Sequence, residues 1–517
     1  MKQNFNLSEL TWSLRGFQPY EWKLYATTGT PAVGNADIPA IAVSVPGSVQ
    51  GALRDAHIIS DWNCGLNSRQ CEWVENRHWV YETVLPDEWL QAGSHFRLQC
   101  LGLDYCGCIL LNEKEVSRFK NTHLPVDIDL TEQLLPAHNI LKIVFEHSPR
   151  WLGQHGWTSQ ISEWKPRYNY YWDWTNRLVQ IGIWDEVRLV CTEGREISSI
   201  DLQVDVTEGA GRIKLAGKTV LDEGEYRVRV RLCDAAKTIK SRDFSPRDFE
   251  GGFIWSDLPV ELWYPNGAGT QKLYDLSIEL IDLADEIHDS IEKQIGFKRL
   301  DWRACEDAPA AADPWICVVN DLPIFMQGVN WTPLRPNFAD VTDCEYRARL
   351  VLYRDLGINI VRVWGGGFLE KDCFYRLCDE LGILVWQDFP LSSSGVGDCS
   401  PPDDDQSIAE LGEIARSFVL RRRHHASLAL WCGGNELMQL SESAELTESR
   451  PASGEHPLLQ AFAAIVNHLD PDRRFLATSP SGPRFCATKE EYGKGVHWDI
   501  HGPWDAPLDL EGEWRDY

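Results

Sequence analysis

An amide stands beside a carboxylate at the end of an apolar run in this chain, at Asn435 and Glu436 in the segment Leu430 to Glu436 (LWCGGNE). Three other apolar runs close in the same way on polar or aromatic residues: Gly328 to Trp331 (GVNW), Val361 to Gly367 (VRVWGGG) and Val385 to Pro390 (VWQDFP). A carboxyl group at a strand end can protonate a departing oxygen, and a neighbouring amide can hold a hydroxyl group in place. Cleavage of a glycosidic bond uses such a set, with a second carboxyl that attacks or activates water. Glu436 therefore reads as a general acid/base and Asn435 as its sugar-binding neighbour. An isolated Asn-Glu pair would more simply be the first-turn acid of a following helix, stabilised by the helix dipole. Here an apolar strand and two glycines precede it, which favours the chemical reading. Trp364 offers a flat platform for a sugar ring. Arg362 reads as the holder of a second carboxylate or as half of a buried ion pair with Asp388.

The elements that must position these residues follow from hydrophobic periodicity. After Trp302, apolar strand-like runs alternate with helical stretches, which indicates a parallel sheet. The strands are expected at Ile324 to Trp331, Asn359 to Trp364, Ile383 to Phe389, Leu428 to Glu436, Phe475 to Ser479 and Val496 to Ile500. Six strands are fewer than the eight of a complete (β/α)8 TIM barrel, so residues 301–517 read as its N-terminal part. In such barrels the site gathers at the carboxyl ends of the strands, where Glu436 falls. Upstream the pattern is of short alternating strands, as in an antiparallel sandwich: His78 to Val84, His95 to Leu101, Cys108 to Leu111 and Ile140 to Phe145. Residues 1–192 read as one β-sandwich and 193–300 as a smaller, immunoglobulin-like one. The cationic run Arg421 to His425 precedes the fourth strand and reads as a helix C-terminus complementing its dipole.

Composition narrows the function classes. The net charge of −27 argues against nucleic acid or an anionic membrane as partner, and suits a neutral ligand. Neither a signal-like N-terminus nor an apolar run of membrane-spanning length occurs, so a cytoplasmic protein is expected. The 15 cysteines are scattered rather than framed, which favours reduced thiols. No phosphate loop, dinucleotide fingerprint or zinc spacing is present, so neither cofactor nor metal is expected. The 23 tryptophans serve mostly in sandwich cores, with a few left for a site.

Taken together, the three-domain order with GVNW, VRVWGGG and WCGGNE at successive strands resembles the β-mannosidase branch of glycoside hydrolase family 2, from Trp12 to near the end of the chain. The resemblance implies a jelly-roll sugar-binding domain, an immunoglobulin-like sandwich and a (β/α)8 barrel. It implies a retaining exo-β-glycosidase acting on terminal β-D-mannose of a β-linked mannoside or related oligosaccharide. It gives the acid/base role to Glu436 and contact near the sugar 2-hydroxyl to Asn435. The stretch Tyr168 to Trp184 resembles the family's WDW loop, whose Asp, here Asp173, reaches sugar hydroxyls in the terminal subsite. Thr175 and Asn176 replace the Gly-Pro more common there. His497 and Trp498 resemble an aromatic substrate-site segment, with HWD in place of HYW. The family's nucleophile is a Glu at the end of the seventh strand in a SEFG-like motif, which this sequence lacks. Glu511 and Glu513 follow no apolar strand, so these 517 residues alone are expected to be inactive. A related exo-β-glucosaminidase, an endo-β-mannosidase or a non-catalytic carbohydrate-binding fragment are the competing readings.

Overall fold

The computed structural model describes residues 1–28, 36–150, 152, 156–306, 308, 310, 313–393, 397–439, 450–480 and 482. Alternation of apolar and polar residues builds the two sandwiches. In the first, a six-stranded antiparallel sheet centred on His78–Leu85 and Asn139–Phe145 packs against a four-stranded sheet that includes His95–Cys100 and Val187–Thr192. Trp12, Trp79, Tyr81, Leu98, Ile143 and Leu189 interlock between them. The second sandwich pairs a three-stranded sheet with a four-stranded one. In the latter, Val228, Val230 and Leu232 of Tyr226–Asp234 face the core with Leu276, Ile278 and Leu280 of Tyr274–Asp282, all fully buried at every second position.

Next comes a short antiparallel hairpin sheet of Leu300–Arg303, Ile316–Val319 and Leu322–Ile324, which the sequence pattern did not announce. It shortens the first barrel strand. The apolar run expected from Ile324 to Trp331 divides, because Ile324 pairs with Cys317 and only Gly328–Trp331 joins the parallel sheet. That sheet is β1 (Gly328–Trp331), β2 (Ile360–Val363), β3 (Leu384–Asp388), β4 (Leu428–Cys432) and β5 (Arg474–Leu476), hydrogen-bonded in that order and all parallel. Helices α1 (Asp343–Asp355), α2 (Asp372–Leu381), α3 (Asp405–Arg422) and α4 (Pro457–Leu469) alternate with the strands. Leu428 through Cys432 are fully buried, as expected of a parallel strand covered on both faces. The expected sixth strand, Val496 to Ile500, lies outside the described residues.

Polar contacts fasten the three regions to one another. Asp340, in the loop after β1, accepts from Ser48 N–H and Ser48 Oγ at 2.6 Å each, at the start of the first sandwich's helix Val49–Asp55. Asn266, in the segment Leu262 to Gly267 (LWYPNG), donates to the carbonyls of Arg354 and Ile358 and so latches the second sandwich onto the barrel. The run Arg421 to His425 does more than close a helix. Arg421 donates to His123 of the first sandwich, Arg423 pairs with Asp201 of the second, and His425 binds Asp379 inside the barrel. The fourteen described cysteines are free thiols. No helix among the described residues is long and apolar enough to cross a membrane.

Candidate active site

The carboxyl ends of β1 to β4 converge on one polar network. Asp388, the last residue of β3, is fully buried and receives the Arg362 guanidinium of β2 at 2.7 Å. It also accepts from Gly365 N–H at 3.0 Å and from Trp386 Nε1 at 2.8 Å. Arg362 is thus half of the ion pair that the sequence offered as one of its two roles. Its Nη2 also donates to Asn435 Oδ1 at 2.9 Å, and its Nη1 to Asn330 Oδ1 of β1 at 3.3 Å. One guanidinium fork therefore joins four strand ends, which suits its planar, multiply donating shape.

Asn435 is held from the other side as well. Its Nδ2 donates to Ser392 Oγ at 3.1 Å, its backbone N–H to the Leu391 carbonyl, and its carbonyl accepts from Ser393 N–H. With both ends of its amide engaged, Asn435 cannot rotate freely. Glu436 follows in a left-handed backbone conformation, φ 52°, and is half-buried. An L-residue adopts that conformation at a cost of about 1–2 kcal/mol. Hydrogen bonds from beyond β5 hold it there: Glu436 N–H donates to Ser479 Oγ at 3.0 Å and Leu437 N–H to Thr478 Oγ1 at 2.8 Å. The expected strand Leu428 to Glu436 accordingly ends at Cys432, and Gly433 and Gly434 turn the chain out of the sheet. Gly434 has φ 153°, and a Cβ there would lie 2.5 Å from the Leu391 carbonyl oxygen, so a side chain would break the turn.

Across the mouth stands the segment from the first sandwich. Trp172 and Thr175 form a tight antiparallel bridge, with backbone hydrogen bonds of 3.3 Å in both directions, and Asp173 and Trp174 make its tip. Asp173 is exposed there. Trp364, after β2, is only 7 % exposed and meets Trp172 edge-on at 4.9 Å and Trp174 at 6.2 Å. Its ring therefore supports the hairpin. A cleft of about 450 Å³ runs between the hairpin and the mouth of β1, lined by Trp174, Thr175, Asn176, Asn330 and Trp331.

Behind β1, Glu370 accepts from Trp331 Nε1 at 2.8 Å and from the Tyr346 hydroxyl. Burial pushes its carboxyl up to about 7, against the pull of those two donors. Among the described residues no three His, Cys, Asp or Glu side chains gather as a metal site.

The structure thus brings Glu436, Asn435, Arg362 and Trp364 to one end of the sheet and sets Asp173 at the exposed tip of the hairpin that packs on Trp364. His497 and Trp498 lie outside the described residues. Sequence reasoning missed Ser392, Thr478, Ser479 and Asn330. Asn330 is the next-to-last residue of the quoted GVNW run and Ser479 ends the expected fifth strand, so both were visible near strand ends. Ser392 carried no signal, because its partner is 43 residues away.

Comparison with known proteins agrees with this architecture. Residues 22–185 match the glycosyl hydrolase 2 galactose-binding domain-like family, 195–298 match glycosyl hydrolases family 2, and 314–474 match the TIM barrel domain of glycosyl hydrolases family 2. The chain is a β-mannosidase-like member of glycoside hydrolase family 2. Among curated relatives in that family, β-mannosidase B of Emericella nidulans is 29% identical over 497 residues, covering 89% of this chain and 57% of its own length. β-Mannosidase B of Thermothelomyces thermophilus is 30% identical, covering 78% of this chain and 48% of its own. The chain thus spans about half the length of these relatives. Among solved structures, a β-D-mannosidase from Dictyoglomus thermophilum superposes with a TM-score of 0.80 at 24% identity, over 99% of this chain and 62% of that one. A Parabacteroides merdae β-glucuronidase superposes with a TM-score of 0.68 at 16% identity, over 96% and 60%. These likenesses confirm the family's fold: sandwich, immunoglobulin-like sandwich, barrel.

Proposed function

We propose that the protein is a retaining exo-β-glycosidase that removes terminal, non-reducing β-D-mannose from β-mannosides. The observation that carries this reading is the fixed Asn435–Glu436 pair at the end of β4, gripped by Arg362 and Ser392. In this mechanism Glu436 protonates the glycosidic oxygen as the bond breaks. It then removes a proton from the water that releases the sugar. Asn435 presents its amide near the 2-hydroxyl, where hydrogen bonds strengthen in the transition state. Asp173 accepts hydrogen bonds from hydroxyls at the chain end, and its hairpin, braced by Trp364, closes the pocket so that only a terminal residue fits. The family resemblance assigns the attacking carboxylate to a Glu at the end of the seventh barrel strand, beyond the five strands described. It places His497 and Trp498 beside the sugar. Arg362 orders Asn435 and carries positive charge toward the anionic side of the site.

The test is a leaving-group series on the full-length protein. Glu436→Ala should lower turnover of alkyl β-mannosides by roughly 10²–10⁴-fold, the range of general acid catalysis, and lower dinitrophenyl β-mannoside far less. Azide should restore turnover and yield the β-mannosyl azide. Equal loss on both substrates without azide rescue would leave Glu436 a structural residue. Nitrophenyl β-glucosaminide, β-glucoside and β-galactoside assayed beside the mannoside decide the sugar.

A further inference from the structure

The hydrogen bonds that hold Asn435 lead out of the barrel. Ser392, whose Oγ receives the Asn435 amide, offers its own carbonyl to Arg167 of the first sandwich, 225 residues earlier, at 2.6 Å. Arg167 lies on the short turn Arg167–Tyr170 and is only 5 % exposed. Its Nη1 also donates to Thr158 Oγ1 at 3.2 Å and its Nε to the Leu152 carbonyl at 3.1 Å. Thr158 in turn takes part in the same seam, since its N–H donates to the Asp398 carbonyl of the barrel at 2.8 Å. The guanidinium carbon also stands 5.9 Å from the Trp172 ring centroid, next to Asp173.

We propose that Arg167 is a positioning residue of the first sandwich that sets the geometry of the Asn435–Glu436 turn through the Leu391–Ser393 segment. The physical argument is one of rigidity. Leu391, Ser392 and Ser393 follow β3 as an irregular segment, whose buried backbone groups must find partners outside a strand ladder. Inward it bonds Asn435 three ways, by the Leu391 carbonyl, Ser392 Oγ and Ser393 N–H. Outward it is anchored at the Ser392 carbonyl by Arg167. A planar fork can reach Leu152, Thr158 and Ser392 together, which a single ammonium cannot. The same side chain braces Trp172, so one residue aligns both walls of the pocket. A sandwich that only bound sugar would need no buried cation inside the seam behind the acid/base.

This inference rests on the reading of Glu436 as acid/base for its catalytic consequence, but the positioning itself is measurable without turnover. Hydrogen exchange by mass spectrometry on the 517-residue chain is to be compared for the unsubstituted protein, Arg167→Met and Arg167→Lys. Loss of one charge-assisted hydrogen bond should speed exchange of the Ser393 and Asn435 amides roughly tenfold or more in Arg167→Met. Amides in Tyr226–Asp234 of the second sandwich should keep their rates, and Arg167→Lys should restore part of the protection. Ser392→Ala, which removes the link to the Asn435 side chain and the Oγ bond to the Ser393 carbonyl but leaves the Ser392 carbonyl with Arg167, should speed exchange at Asn435 and spare Leu152 and Thr158. Unchanged exchange at Ser393 and Asn435 in Arg167→Met overturns the inference, as does acceleration spread evenly over all three regions. In turnover of the full-length protein, Arg167→Met should lose more on alkyl than on dinitrophenyl mannoside, with partial rescue in Arg167→Lys. Equal losses on both substrates would overturn its link to the acid/base. Exchange decides the positioning by itself; absence of turnover in the unsubstituted full-length protein would count instead against the proposed function.

Discussion

Asn435 and Glu436 are gripped by hydrogen bonds from β2, from the segment after β3 and from beyond β5, whereas Asp173 rides the tip of a two-residue hairpin with its carboxylate in solvent. Bond cleavage depends on placing a proton donor within a few tenths of an ångström, so the barrel side spends conformational strain to fix Glu436 at φ 52°. Grasping a sugar hydroxyl tolerates more freedom, and the hairpin is held through the rings of Trp172 and Trp174 against Trp364, Tyr168 and the Arg167 guanidinium. The two walls of the pocket should therefore respond to substitution in different ways.

The largest expected effect is at Asp388. Asp388→Ala strips the buried partner from Arg362 and should destabilise the barrel by about 3–5 kcal/mol, read in denaturant unfolding. A loss below about 1 kcal/mol, as for an exposed pair, would mean that the barrel wall is no firmer than the hairpin. Glu370 comes next, as the buttress behind β1. Its folded-state value of about 7 exceeds the ordinary 4.5, so between these values the native protein holds a proton that the unfolded chain has released. Stability should therefore fall as pH rises from about 4.5 to 7, by up to roughly 3 kcal/mol, and the penalty should persist above 7. Glu370→Gln should flatten that slope in thermal melts across the window; an unaltered slope would assign it to other groups.

At the hairpin the expected effect is kinetic. Asp173→Ala should lower kcat/KM by about 1.5–3 kcal/mol, the worth of a hydrogen bond to a charged group, with no change in melting temperature. A large fall in melting temperature with unaltered kinetics would make Asp173 a turn residue and erase the contrast. The smallest effect is the most direct comparison of the two backbones. At Glu436 glycine relieves the left-handed conformation, so Glu436→Gly should be more stable than Glu436→Ala by about 1 kcal/mol. At Asp173 φ is not positive, and there the glycine variant should be the less stable by roughly 0.5–1 kcal/mol. The same sign at both sites would show that Glu436 carries no backbone strain.

These contrasts also mark where the sequence could be read. The sandwich strands and the parallel strand-helix alternation were legible because burial imposes a period of two or a continuous apolar run on neighbouring residues. Asn435 and Glu436 were legible because they end such a run. The split of Ile324 to Trp331 was not, since the same apolar residues satisfy a hairpin with Ile316–Val319 as well as a barrel strand, and only the competition for partners chooses. The Arg421 to His425 run showed its charge but not its bonding, because its partners His123, Asp201 and Asp379 lie 46 to 298 residues away along the chain.

The sequence by itself determined the three-region order, the family resemblance and the identity of the candidate acid/base, because those depend on local periodicity and short motifs. Tertiary structure alone decided that Arg362 divides its fork between Asp388, Asn330 and Asn435, that Trp364 faces a hairpin, and that Arg167 stands behind Ser392. Such contacts join residues tens to hundreds of positions apart. Their cause is the requirement that every buried donor and acceptor find a partner, a condition on three-dimensional neighbours that no spacing along the chain records.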